Sequence, residues 1–438
     1  LKPYGDGDYP EYSERTSTVI KTALAADIQI HQNHEVRAGL ERVFQRFSAF
    51  TYFISDSSHQ LTDEYDHQPA EYSAYLQDNI DIGGAYARLG CRYDYFSSDI
   101  DSIEPKHYVS PRLGLSFGVS DDLILRANIG LYAQPPLYDH MYCYYSMLPL
   151  PSYLFGLVPI IGNPELRPER TVSYELGMQG EIADGFNVTF NAFYKDVTDL
   201  IGTRGVRLLP LHFIYYQYVN IEYANIKGVE TILEANRGPL TGRFSYTLSW
   251  ARGTSSYASE FGDTTVERPA CDYYLDFDQR HRIFFQGTVR LPYSSQMHVF
   301  AYFGNGFPYT PPDPEGKYVE TNYERLPFQR QIDFLLSKTF RIGRMKLSVD
   351  LEIINILDHQ YEITSHSPQI REPNIADFDD FITFQSDYYN PAADADHDGM
   401  ISPYEDYLSY VAIREATDDI VHAYSAPRRA RIGVAIRY

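Results

Sequence analysis

Long hydrophobic runs are missing from this sequence. Nowhere do about 18 apolar residues follow one another, so no membrane-crossing helix is present. Cysteine is scarce: Cys91, Cys143 and Cys271 are too few and too scattered for a disulfide framework or a zinc site. Cys143 and Cys271 both fall in long connections and form a candidate pair. Positive charge is short as well, with 37 Lys+Arg against 59 Asp+Glu and a formal net charge of -22. That balance offers no basic face to a phosphate backbone and excludes a nucleic-acid partner. There is no His-Glu-x-x-His, no Gly-x-Ser-x-Gly elbow and no phosphate loop, so no enzymatic activity is expected.

What the chain has in quantity is aromatic: 40 Tyr and 25 Phe, which excludes a disordered chain. The strongest regularity is strict two-residue alternation, the period that sends successive side chains to opposite faces of a strand. At the end of the chain Ala430, Ile432, Val434, Ile436 and Tyr438 share one face, and Arg429, Arg431, Gly433, Ala435 and Arg437 the other. A soluble sandwich rarely sets three arginines on its core side. The apolar row is expected to meet lipid and the arginines a wet lumen. The same division recurs at 186–195 and 345–353.

Alternation read along the whole chain predicts about fifteen strands, each long enough to cross a bilayer when tilted. The expected spans are 16–31, 34–50, 71–84, 85–98, 110–119, 122–133, 170–181, 185–201, 213–236, 240–254, 278–291, 295–304, 329–341, 344–358 and 428–438. Tight turns such as Gln32-Asn33-His34, Ala183-Asp184-Gly185 and Ile342-Gly343-Arg344 alternate with long segments at 51–70, 134–169, 255–277, 305–328 and 359–427. Short turns on one rim and long loops on the other are the pattern of an outer-membrane barrel. The expected fold is therefore all-β, a transmembrane antiparallel β-barrel with long extracellular loops. The other reading of the alternation is a soluble β-sandwich.

Several landmarks in this frame resemble one family. Asn163-Pro164-Glu165-Leu166-Arg167-Pro168-Glu169 followed by Thr171-Val172-Ser173-Tyr174-Glu175-Leu176-Gly177 looks like the passage from an outer loop into a strand of TonB-dependent outer-membrane receptors. Asn220, Ala224 and Gly228-Val229-Glu230, then Asp278-Gln279-Arg280-His281, then Asn355-Ile356-Leu357-Asp358-His359-Gln360-Tyr361 match its later landmarks in order. An aromatic residue at the end of the last strand, here Tyr438, is a further point of similarity. The resemblance implies a barrel of about 22 strands with a plugged lumen, of which this chain, 1–438, would be the C-terminal portion lacking the first strands and the plug. It also implies the outer membrane of a Gram-negative-type bacterium, contact with outer-membrane lipid and lipopolysaccharide, energy from the TonB complex through the missing N-terminal part, and uptake of a small scarce nutrient. The alternatives are a passive porin or adhesin barrel and a secreted calcium-binding β-domain. A scaffold role is expected for the landmark residues themselves, because Asn-Pro and Arg-Pro steps bias the backbone toward turn and extended geometry.

Within the long segment 359–427 lies a loop of metal-binding type at 394–405: Asp394, Asp396, Asp398, Met400, Ser402 and Glu405 stand at loop positions 1, 3, 5, 7, 9 and 12, with Gly399 at 6 for the sharp turn. Three aspartates and a bidentate glutamate supply hard oxygen ligands, Met400 its backbone carbonyl and Ser402 a hydroxyl or water-mediated contact. Calcium is the expected ion. Ser402 and Pro403 can start a following helix, with Tyr404, Leu408 and Val411 on one face. The bland reading is a solvated acidic loop. Residues 362–426 hold 14 acidic and 2 basic side chains, a net of -12, so over half of the total of -22 sits there. In the aromatic segment 134–169, Pro135, Pro136, Tyr138, Tyr142, Tyr144, Tyr145, Tyr153 and Phe155 suit either ligand stacking or a loop core.

Overall fold

The computed structural model describes residues 11–54, 60–145, 160–208, 213–256, 271–310, 321–361 and 425–437. The chain divides into two units, Leu1–Thr231 with Trp250–Asp272 and Ile232–Ser249 with Tyr273–Tyr438.

The first unit is an antiparallel meander of β1 (Glu11–His31), β2 (His34–Ile54), β3 (Gln60–His67), β4 (Ala70–Asp81), β5 (Ala85–Ser97), β6 (Lys106–Ser120), β7 (Leu123–Gln134), a short helix α1 (Tyr138–Tyr142), β8 (Glu169–Ala183), β9 (Phe186–Leu208) and most of β10 (Phe213–Arg237). Each strand pairs with its predecessor, except that β3 and β4 lie end to end along β2. Pro69, which is fully buried, separates those two because it has no N–H to offer the ladder. The alternation holds across the sheet. Leu89, Leu113, Ile129, Tyr174 and Tyr194 form one cross-strand row, and one residue along, Arg88, Gly114, Asn128, Glu175 and Phe193 form the next, on the opposite face. Asp78 breaks the apolar row next to Leu89, and its carboxylate meets His34 at 2.8 Å near the tight-turn end.

The second unit holds β11 (Leu240–Gly253, as far as Ser249), β12 (Tyr273–Tyr274), β13 (His281–Leu291), β14 (Ser295–Gly304), β15 (Pro308–Tyr309), β16 (Glu324–Arg325), β17 (Gln329–Ile342), β18 (Met345–Ile354) and β19 (Arg429–Arg437). Here Ile432, Leu351, Leu336, Met297, Val289 and Leu240 lie in one row. Arg431, Glu352, Leu335, His298, Thr288 and Thr241 lie in the adjacent one, facing the other way. Ile432 is 76% exposed and Val434 64%, a surface of β-branched residues with nothing folded over it. On the opposite face Arg431 pairs with Glu352 at 2.6 Å and Thr288 bonds His298 at 2.8 Å. On the apolar face the Tyr246 hydroxyl lies 2.9 Å from His281 Nδ1.

Counting β3 and β4 as one traverse, all fifteen predicted strands are found among the described residues. The tight turns are where the sequence put them: Gly185 at φ 77° and Gly343 at φ 62° take the left-handed conformation that a two-residue hairpin demands. The strand ends at the other rim differ from the expected ones. Segment 51–70 was expected to be a loop, yet β2 runs to Ile54 and β3 covers Gln60–His67. The polar string Leu-Thr-Asp-Glu-Tyr-Asp-His hides its strand character because both of its faces carry charge, while its backbone is fully paired to β2. In the same way β9 runs on to Leu208. β18 stops earlier than expected, at Ile354, because Asn355 at φ 53° turns the chain out of the ladder.

Candidate functional site

The connection after β7 folds back onto the polar face of β2–β5. Pro135 and Pro136 hold its entry extended, and α1 then presents Tyr138, Met141 and Tyr142 on one side, the i, i+3, i+4 stripe of a helix. Met141 is 0% and Tyr142 1% exposed. They pack with Phe47, Ala49, Tyr65 and Phe96, all of which project from the polar face of their strands. Tyr142 stacks on His67 with centroids 4.0 Å apart, and Tyr138 lies 6.2 Å from Tyr142 and 6.3 Å from Phe96. Offset ring pairs of this kind add about 0.5–1.5 kcal/mol each beyond area burial. Of the two uses open to the aromatic segment, Tyr138 and Tyr142 serve as loop core.

Several polar groups of this cluster are tied to the strands and to the bend after β5. The Tyr138 hydroxyl donates to Glu71, and that of Tyr142 is 3.1 Å from Ser98 Oγ. Asp139 accepts from Tyr65 at 3.1 Å and from Arg15 at 2.6 Å. The Tyr144 N–H donates to Asp63 at 2.8 Å. Burial pushes the Tyr142 phenol up to about 12 and the Cys143 thiol up to about 12, the latter reinforced by Asp139 and Asp63. Burial pushes the His140 imidazole down, against the pull of Asp139. Its ring sits 4.5 Å from that of Tyr218.

Beneath the folded connection is a cavity of about 170 Å³, lined by Glu41, Glu71, Ser73, Arg92, Asp94, Ser110 and Arg112 from the strands and by Pro135 and Pro168 from above. Lys21 pairs with Glu41 at 2.9 Å, and Arg92 with Asp94 and Ser73 at 2.8 and 2.7 Å. The lining is polar and mixed in sign.

The landmark residues tie loops to strand ends. Asn163 Nδ2 donates to the Tyr218 carbonyl at 2.9 Å, while its Oδ1 accepts the Glu165 N–H at 3.0 Å. Asn220 accepts the Arg167 N–H and donates to the Arg167 and Asp199 carbonyls, at 2.8, 2.8 and 2.7 Å. In the second unit Asp278, with no exposed side-chain surface, takes Arg325, whose Nη1 also reaches the Asp278 carbonyl at 2.8 Å. Gln279 donates to Tyr302, Asn305 and Gln329, and Asn355 to the His359 and Ala426 carbonyls. The scaffold role expected of these motifs is what the hydrogen bonds display.

Polar and apolar faces in strict alternation, hairpins at one rim and motif-stitched loops at the other coincide with a match over residues 2–356 to the family described as TonB dependent receptor-like, beta-barrel. The chain belongs to this family of outer-membrane barrels. In this TonB-dependent receptor fold the polar face is the lumen wall and the latched connection an inward-folded outer loop. Solved structures of similar fold include the outer membrane transporter YddB from Escherichia coli, at TM-score 0.62 and 14% identity over 81% of this chain and 52% of that one. The FrpB iron transporter from Neisseria meningitidis gives 0.58 and 14% over 79% and 51%. The ferripyoverdine receptor of Pseudomonas aeruginosa gives 0.57 and 13% over 81% and 46%. The chain spans about half the length of these structures.

The sequence-predicted calcium ligands Asp394, Asp396, Asp398, Met400, Ser402 and Glu405 lie outside the described residues, as does nearly all of segment 359–427. Cys143 and Cys271 do not pair: all three cysteines are free, and the Cys143 thiol is turned to the Ile160 carbonyl at 3.7 Å while Cys271 is exposed. What sequence reading missed is the latch set of Arg15, Asp63, Glu71 and Asp139. Its members come from four separate segments, and the only signal was the position of each on the polar face of a strand or at the start of an aromatic helix.

Proposed function

We propose that this chain supplies the barrel wall and outer loops of a receptor that takes up a scarce nutrient across the outer membrane with energy relayed by the TonB complex, transport and not catalysis being its task. The observation that carries this reading is the inward-folded connection of α1, latched over a polar cavity on the lumen face. A passive porin, the alternative, needs neither plug nor energy coupling, so dependence of uptake on the coupling complex separates the two readings. The neighbouring structures are titled as transporters and receptors, which supports the class and leaves the nutrient open. Lipopolysaccharide and lipid are the expected partners of the apolar face. The acidic loop 359–427, with calcium held by Asp394, Asp396, Asp398, Met400, Ser402 and Glu405, is its expected outermost part. Deleting the gene in its host should abolish growth on one limiting nutrient, and so should removal of the coupling complex. Uptake that persists without coupling would leave the porin reading in its place.

A further inference from the structure

On the lipid-facing side of the first unit, Arg42 of β2, Tyr72 of β4, Tyr95 of β5 and His107 of β6 stand in one cross-strand row. The row is continuous. The Arg42 guanidinium lies 5.4 Å from the centroid of the Tyr72 ring, and the Tyr72 and Tyr95 rings are 5.9 Å apart. The His107 ring is 5.3 Å beyond, with its Nδ1 at 2.5 Å from the Tyr93 hydroxyl. Arg42 is eight residues along β2 from His34 at the tight-turn end, which is about 20 Å up the membrane normal for a strand tilted by about 40°. An apolar band about 25 Å tall therefore puts the row at the outer girdle, where aromatic rings mark the level of the lipid head groups.

Arg42 is exposed and, among the described residues, has no hydrogen bond or ion pair, its one contact being the Tyr72 ring. Arg46, four residues further along the same face, is neutralised by Asp66 at 2.5 Å. Toward the midplane from the row the wall is recessed. Ala38, Ala74 and Cys91, short side chains set among Leu40, Leu76 and Tyr93, line an apolar trough of about 490 Å³. A second trough of about 590 Å³, sharing Leu76 and Cys91, continues it to Pro111 and Leu131. Each strand that forms this surface is paired on both sides, and the surface faces away from the lumen, so whatever fills the lumen does not touch it.

We propose that this surface seats one phosphate-bearing lipid of the outer leaflet, its phosphate on Arg42 and an acyl chain in the trough. A planar guanidinium meets a phosphate with two parallel hydrogen bonds, and the Tyr72 ring behind it holds the guanidinium at head-group level. Basic groups at the membrane surface are the usual means by which anionic lipids are recognised. A phosphorylated lipid supplies both an anion for Arg42 and a chain for the trough, in the order in which the two occur from girdle to midplane. The inference rests on the reading of the apolar face as the lipid-facing one, not on uptake, and names the lipid's chemistry and its seat.

The test is native mass spectrometry of the intact receptor in a maltoside detergent, titrated with diphosphorylated lipid A and with its dephosphorylated form. The phosphorylated form should bind ~10-fold tighter or more, R42Q should remove most of that preference, and R42K should keep more of it. A38L/A74L, which fills the trough, should weaken both forms. R37Q, on the opposite face and paired with Asp27, should match the wild type. Heat-modifiable gel mobility checks that each variant holds a folded barrel. Equal affinity for the two forms, or a phosphate preference undiminished in R42Q, overturns the proposal. Displacement of lipid A by an equal concentration of inorganic phosphate also overturns it, since the site would then take a free anion. So does a receptor dimer that is lost in A38L/A74L while the two lipid forms bind alike, since a second copy would then cover the trough. No binding of either form by a receptor that still inserts into vesicles sinks the site and leaves the lipid-facing wall standing. A phosphate preference without energy-coupled uptake leaves the site standing and sinks the uptake reading.

Discussion

Asp139 and Arg15 stand 124 residues apart in the chain, and their side chains meet at 2.6 Å. Asp139 belongs to the outer connection and Arg15 to the lumen face of β1, so this contact and the Tyr65 bond beside it fasten loop to wall. Both charges are partly exposed, which limits the pair to less than about 1 kcal/mol. D139N should therefore raise hydrogen exchange of the α1 backbone by about fivefold or less and leave exchange of β18 unchanged. An unaltered α1 exchange profile would show that the aromatic packing alone holds the loop.

His140 makes the same loop pH-sensitive. Burial depresses its imidazole below the ordinary 6.5. In the unfolded loop the ring takes up a proton as pH falls through that value, while in the packed loop it resists, so the loop's stability is full above 6.5 and declines as pH drops below it. Protection factors of residues 138–145, with the base-catalysed intrinsic rate divided out, should be higher at pH 7.5 than at pH 5 (both roughly one unit or more from the ordinary histidine value), and H140F should flatten the difference. A pH response that survives in H140F assigns the effect to another group.

The thiol of Cys143 should be inert in the folded receptor. Its reactivity depends on thiolate, which burial suppresses by raising it to about 12, whereas Cys271 is exposed. A water-soluble maleimide at about pH 8, just under the free-thiol value, should label Cys271 within minutes and Cys143 only after denaturation. Non-reducing mobility should be identical for wild type and C143S. A mobility shift in C143S would restore the disulfide.

Asn220 closes three hydrogen bonds between the Arg167 and Asp199 backbones, and the Arg167–Asp199 ion pair at 2.6 Å adds to the same junction. N220A leaves those groups without side-chain partners and should cost about 1–3 kcal/mol. Limited proteolysis should then cut near residue 167 first. Equal resistance of N220A and wild type would argue that water replaces the amide.

For the acidic loop, the expected outcome is a calcium titration of the intact receptor in which D394A and E405A each weaken binding by at least ~10-fold, since one removes the first ligand and the other the bidentate one. Unchanged affinity in both variants removes calcium from these residues.

Fold and site were legible to different degrees. The period of two in Ala430–Ile436 and in 345–353 needs no context, because a strand must send neighbours to opposite sides whatever surrounds it. The landmark motifs were legible as scaffold, since Asn163-Pro164 and Asn355 act on the backbone next to them. Segment 60–67 was not, because charge on both faces erases the pattern that marks a strand and only pairing with β2 makes it one.

By itself the sequence determined the strands, their turns and which face of each meets lipid, all of which follow from side-chain period and local backbone preference. Tertiary structure alone decided that Tyr138 and Tyr142 would fill the wall beneath Phe47 and Phe96 instead of stacking on a ligand. It also decided that Arg42, Tyr72, Tyr95 and His107 would fall into one row. The first depends on a loop packing against strands distant in the chain, and the second on the register between neighbouring strands; neither leaves a mark on any one segment.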